Sequence, residues 1–178
     1  GMENLKIEAI LNKAMLYLKE EKFLYSIDIL KKCVDYYKSI NRYEKIIICY
    51  QLMFYACYEL KNYKEALEYN EKIDFLAKNK LKSSSFEKTC ESIYSFNIAK
   101  IKMEEGEYEE SFKLFEKSAS ILENKCSFDL GEVYKELGKL QLKQYKFEDA
   151  ILWFQKSAAE KRKRYKIYDE AILAEEIS

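Results

Sequence analysis

The chain has 178 residues, is 48% hydrophobic and 35% charged, and contains no proline, no histidine and only four glycines. Its 31 Lys and Arg balance 31 Asp and Glu, so no net field exists to hold a nucleic-acid backbone or an anionic membrane surface directly. The balance is that of a soluble folded domain, with no apolar run near the roughly 20 residues of a membrane span and no histidine to serve as the commonest general base.

With Gly1 set aside, the first periodic run is Leu5, Ile7, Ile10, Leu11, Ala14, Met15 and Leu18. That three-four spacing predicts an amphipathic helix over 3–20. After the polar turn Lys19 to Lys22, the run Phe23, Ile27, Leu30, Cys33, Val34 and Tyr37 predicts a partner helix ending near Ser39, with Asn41 marking the next turn. The scheme then repeats: helices over 43–60 and 63–79, 84–105 and 108–124, 127–144 and 147–164, and a short terminal helix over 167–177. Ser84 and Glu87 have the spacing of a capping box. Gly106 suits a left-handed turn residue, and Asn62 is expected in a comparable role. No shift in composition divides the chain, which reads as one domain over 1–178 with repeats over 3–40, 43–80, 84–125 and 127–164.

Cys33, Cys49, Cys57, Cys90 and Cys126 are odd in number, widely spaced and set among apolar residues. They read as reduced, buried small hydrophobes, and with no histidine available no metal site is expected. No glycine-rich phosphate loop, GxSxG elbow or HExxH helix is present, so neither a cofactor nor an enzymatic activity is expected. No signal-like segment opens the sequence, which points to a cytoplasmic location. The basic run EKRKRYK at 160–166 reads as the solvated last turn of a helix rather than a nucleic-acid patch, because its surroundings are neutral.

The repeat is visible in short copies of one pattern: KFLYSIDI at 22–29, NYKEALEY at 62–69, EYEESFKL at 107–114 and KFEDAILW at 146–153. Each places an aromatic (Phe23, Tyr63, Tyr108, Phe147) three residues before a small residue (Ser26, Ala66, Ser111, Ala150), in steps of 40, 45 and 39 residues. Twelve residues upstream lie Ala14, Phe54, Ala99 and Gly138. A small residue on each of two antiparallel helices lets their backbones approach closely, and the aromatic covers the turn between them. Such hairpins bury their apolar sides only against neighbouring hairpins.

These residues resemble the tetratricopeptide repeat. The last copy matches best, through Tyr134, Leu137, Gly138, Phe147, Ala150 and Phe154; the third matches through Ile98, Ala99, Tyr108, Ser111, Phe115 and Ser118, and the second through Tyr50, Tyr63 and Ala66. The steps exceed the family's roughly 34 residues, and in this they look like the repeat regions of Gram-positive peptide-pheromone receptors and regulators of the Rap, Rgg and PlcR type. The resemblance implies an all-α, right-handed superhelical solenoid of four helix hairpins plus a terminal capping helix.

It also implies that the first helix of each hairpin lines a concave surface. Carried onto this chain, the positions turned away from the partner helix are Leu11, Met15 and Leu18; Gln51, Tyr55 and Tyr58; Phe96, Lys100 and Met103; and Lys135, Lys139 and Leu142. Asn12 and Asn97 occupy equivalent places from which an amide could grip a peptide backbone. A groove aromatic in its middle and basic toward its C-terminal end would suit an extended peptide with apolar side chains and an acidic end. The same aromatics also fit a packed core. The lysine-asparagine carboxylate clamp of some family members is not reproduced. The expected function is therefore a non-enzymatic peptide- or protein-binding module for sensing or regulation. Two other readings stand beside it: an adaptor or homodimer associating through the stripe Ala171, Ile172, Leu173 and Ile177, and a piece of a larger transcriptional regulator. The alignment is tested by Ala150→Asp, which places an unpaired charge in a close helix contact: the C-terminal half is expected to unfold, and an unchanged melting curve contradicts the repeat register.

Overall fold

The computed structural model describes the backbone over residues 2–82, 85–123 and 128–177, and side chains over residues 5–82, 85–123, 130–163 and 165. Among the described residues there are eight helices and no strand: α1 (Met2–Lys19), α2 (Phe23–Ser39), α3 (Tyr43–Glu59), α4 (Tyr63–Lys80), α5 (Ser85–Glu104), α6 (Tyr108–Leu122), α7 (Phe128–Lys143) and α8 (Phe147–Ile177). The near absence of helix breakers and the three-four apolar spacing produce these elements, and short turns fold successive helices against each other. No described helix is long and apolar enough to cross a membrane. The chain forms two compact units divided after Cys90, inside α5.

Five turns share one geometry. In each, a residue with positive φ precedes the residue that opens the next helix: Glu21 (58°), Asn41 (55°), Lys61 (58°), Gly106 (83°) and Tyr145 (60°). The N–H of the following residue reaches five residues back, from Lys22 to Tyr17 at 2.8 Å, Arg42 to Tyr37 at 2.9 Å, Asn62 to Cys57 at 2.9 Å, Glu107 to Lys102 at 2.9 Å and Lys146 to Gln141 at 3.0 Å. This is the Schellman arrangement, which satisfies carbonyls that a helix end leaves unpaired. Asn62 therefore does not hold the left-handed position; Lys61 does. Asn62 instead caps α4, its side chain accepting from the Glu65 N–H at 3.4 Å and donating to the Glu65 carboxylate at 2.8 Å.

Inside the hairpins the helices touch at two levels seven residues apart. At the upper level the Ser26 hydroxyl donates to the Ala14 carbonyl at 2.9 Å, and the Ser111 hydroxyl to the Ala99 carbonyl at 2.7 Å. Ala66 and Ala150, also fully buried, hold the equivalent places opposite Phe54 and Gly138. At Gly138 a methyl group would come within 2.6 Å of the Phe154 ring, so only glycine leaves that ring room. At the lower level the Ser157 hydroxyl donates to the Gly131 carbonyl at 2.6 Å, and Ser92 and Ser118 pair at 2.8 Å. The first two hairpins fill this level with Ile7 and Cys33, and with Ile47 and Ile73.

In the first unit the Tyr37 hydroxyl donates to Glu8 at 3.1 Å and Lys45 pairs with the same carboxylate at 2.9 Å, tying α1, α2 and α3 together. Cys33, Cys49, Cys57 and Cys90 are buried free thiols. Burial pushes Cys49 and Cys90 up to about 12 and Cys57 up to about 11, so they remain protonated hydrophobes at neutral pH. The second unit gathers around Phe115, Leu122, Leu137 and Leu140.

The turn-covering aromatics Phe23, Tyr63 and Tyr108 are half-buried. Phe147 is 59% exposed, since no described hairpin follows it to cover the ring. The separate terminal helix expected over 167–177 is not found: α8 runs unbroken to Ile177 because nothing between Glu160 and Tyr168 is a proline, glycine or other strong breaker. EKRKRYK consequently lies within the helix and is no last turn; Lys161 pairs with Glu132 and Lys163 with Glu160, each at 2.7 Å. Ser84, Cys126 and the side chains of Ala171, Ile172, Leu173 and Ile177 lie outside the described residues.

The turns yield a stability test. A left-handed L-residue costs about 1–2 kcal/mol, while glycine adds roughly 0.5–1 kcal/mol of lost backbone entropy. Lys61→Gly is therefore expected to raise unfolding free energy by about 0.5–1 kcal/mol in urea melts, and Gly106→Ala to lower it.

Candidate functional site

In the first unit, α1 and α3 present the expected inner-face residues in two classes. Leu11 (4% exposed) and Leu18 are core, a correction that follows from their packing inside the first hairpin. Asn12 is exposed and Met15 and Tyr55 are partly open, at 37% and 40%. Gln51 and Tyr58 are half-buried. The Tyr55 ring meets Phe23 edge-on at 6.3 Å, so the aromatic that begins α2 braces a residue of the next hairpin. Tyr58 lies between Phe54 (6.2 Å) and Tyr63 (5.7 Å). These form two separate groups of rings, and Tyr55 is the exposed member of the first.

In the second unit, Phe96 is half-buried and meets Phe115 edge-on at 5.6 Å. Lys100 is half-buried, Met103 is core and Leu142 is exposed. Asn97 is fully buried, so its amide belongs to the interior and is not offered to a ligand, unlike its counterpart Asn12. The counterpart on α7 is Glu136, only 4% exposed; that buried carboxylate was missed, although it stands in the same register, two residues before Gly138, as Asn97 before Ala99.

The basic end expected on α7 is largely neutralised. Lys139 holds Glu136 at 2.7 Å, and Lys135 holds Glu132. Both acids sit three residues before their lysines in EVYKELGK, the spacing at which helical side chains meet. Burial works to raise the Glu132 carboxyl, but hydrogen bonds from Lys135 and Lys161 outweigh it and hold the group below its ordinary value.

No protein-family model matches the chain, and no curated protein matches it in sequence. Solved structures do. A Rap protein complexed with competence and sporulation factor matches with a TM-score of 0.73 at 19% identity, over 89% of this chain and 44% of that one. The apo form of the quorum sensor NprR from B. thuringiensis matches at 0.68 and 19% identity, over 94% of this chain and 47% of that one. TPR-like repeats of a kinesin light chain type from Podospora anserina match at 0.60 and 14% identity, over 89% and 76%. At these identities the likeness is one of fold. This chain has the helix hairpins of the tetratricopeptide repeat, and it spans just under half the length of the Rap and NprR chains.

The Glu132 cluster carries a pH signature. A depressed carboxyl contributes stability that is full above its unfolded value near 4.5 and is lost as pH falls through the folded value. Glu132→Gln is expected to cost about 1 kcal/mol at pH 7 and to flatten the acid limb of the melting profile below about pH 4.5; an unchanged acid limb removes the cluster from the stability argument.

Proposed function

We propose that this chain is a non-enzymatic, cytoplasmic binding module that takes an extended peptide or protein segment on the exposed faces of its first helices, as part of a sensing or regulatory protein. One observation carries the reading. Tyr55 on α3 is 40% exposed and its ring is met edge-on by Phe23, with Met15 on α1 37% exposed, and a braced aromatic of this kind is a strong anchor with little conformational freedom left to lose. The fold shared with a Rap protein solved with competence and sporulation factor, and with a quorum sensor, supports it. Met15, Gln51, Tyr55 and Tyr58, with Asn12 at the margin, form the contact set on the first unit; Phe96, Lys100, Lys135 and Lys139 form it on the second. A ligand carboxylate at Lys135 or Lys139 has to compete with Glu132 or Glu136 for its cation. Nucleic acid is not a direct partner in this reading.

A second reading, self-association, is favoured by the exposed Phe147, Ile151 and Leu152 on α8. Sedimentation over a wide concentration range separates the two, since only the second makes the mass concentration-dependent.

The binding reading is tested by selecting displayed peptides on the immobilised chain and measuring the winners by calorimetry. Tyr55→Ala is expected to weaken them about tenfold or more with little change in melting temperature. Failure of any peptide to enrich over an unrelated helical protein, or indifference to Met15, Tyr55 and Lys139 substitutions alike, sinks the proposal.

A further inference from the structure

Gln141, near the end of α7, is 6% exposed, and its Oε1 has no hydrogen-bond partner. Buried side-chain acceptors are rarely left unpaired, because the lost hydration is not recovered. The residue lines a cavity of about 250 Å3 together with Tyr108, Glu109, Phe112, Lys113, Gln144 and Lys146. The lining comes from the first turns of α6, the end of α7 and the residue that opens α8. None of the inner-face positions considered above belongs to it.

The charges around this cavity differ from those nearby. Lys102, Lys135, Lys139 and Lys143 each hold a carboxylate. Glu109, Lys113 and Lys146 form no ion pair among the described residues, although Glu109 and Lys113 stand one helical turn apart. The start of α6 also has no side-chain cap, which leaves its positive end to favour an anion. The lining therefore offers three kinds of partner. Lys113 and Lys146 call for an anion, Glu109 and the Gln141 oxygen call for a cationic donor, and the rings of Tyr108 and Phe112 call for apolar surface. The volume of about 250 Å3 lies below the roughly 300–1,000 Å3 of drug-sized sites.

We propose that this cavity binds a free α-amino acid with an apolar side chain. Its carboxylate is held by Lys113 and Lys146, its ammonium by Glu109 and the Gln141 amide oxygen, and its side chain lies against Tyr108 and Phe112. A peptide interior lacks both charges, a peptide C-terminus lacks the ammonium, and an amine lacks the carboxylate. The zwitterion uses both signs of charge, the unpaired oxygen and the two rings.

The test titrates the full chain with L-phenylalanine and L-leucine by calorimetry and by fluorescence of Trp153, the single tryptophan, whose ring lies 6.3 Å from that of Phe112. Saturable binding is expected for both amino acids. N-acetyl-L-phenylalanine, without the ammonium, and L-phenylalaninamide, without the carboxylate, are each expected to bind about tenfold or more weakly than L-phenylalanine. Gln141→Met keeps the length of the side chain and removes the unpaired oxygen. It is expected to melt at or above the wild-type temperature while losing about tenfold in affinity, a combination that a purely structural role for Gln141 does not give. Lys113→Gln, on the exposed side of α6, is expected to show the same loss and serves if Gln141→Met does not fold. No saturable binding of either amino acid, equal binding of the N-acetyl analogue, or undiminished binding by the folded variants overturns the proposal. None of these outcomes bears on peptide binding at Tyr55, so the two readings fail separately.

Discussion

The close approach of the two helices in each hairpin is the constraint on which the rest depends. It requires that the second helix bring almost no side-chain volume to the contact, and Ser26, Ala66, Ser111 and Ala150 meet that requirement with zero exposure. Where serine is used, its hydroxyl hydrogen is taken up by the facing backbone carbonyl, so a polar atom enters the contact without being left unpaired. The apolar residues on the outer sides of a hairpin are left for a neighbour to cover. Phe23 against Tyr55 is one instance of that covering.

The two units meet this constraint with different chemistry at the lower level. The first uses Ile7 with Cys33 and Ile47 with Ile73, in a region that also buries Cys49 and Cys57. The second uses hydroxyls, Ser92 with Ser118 and Ser157 against Gly131. An apolar contact is tolerant of small sliding, whereas a hydroxyl-carbonyl pair fixes distance and direction. The register of the last two hairpins is thus specified by hydrogen bonds as well as by packing. The Schellman turns add a second fixed geometry at the ends of the hairpins, one that four of the five turn sites hold without glycine.

The hairpins and their phase were legible in the sequence because a fixed offset of twelve residues joins the small positions, and such an offset reports geometry independently of residue identity. What failed did so for local reasons. A break was expected between 164 and 167, yet with no breaking residue there the helix continues to Ile177. Asn62 was expected in the left-handed position, but its side chain caps α4 and Lys61 holds that position instead. Lys135 and Lys139 were expected at the basic end of the groove from their positions alone, but each pairs with the acid three residues before it on the same helix. Gln141 could not have been found from LQLKQ, since its isolation depends on what the turns of two other helices bring around it.

Charge therefore locates potential function more sharply here than composition does. The totals cancel, and along α7 nearly every cation is already matched to an acid, so a lysine by itself says little about partners. The informative residues are those the fold holds in place while leaving them exposed or charged without an ion pair. On the first unit the exposed ring is Tyr55, which Phe23 meets edge-on. On the second it is the group around Gln141, where an acid, two lysines and a buried amide share one cavity without closing on each other. An apolar anchor selects by shape and area, whereas opposed charges beside an unpaired amide select by the ends of a small molecule.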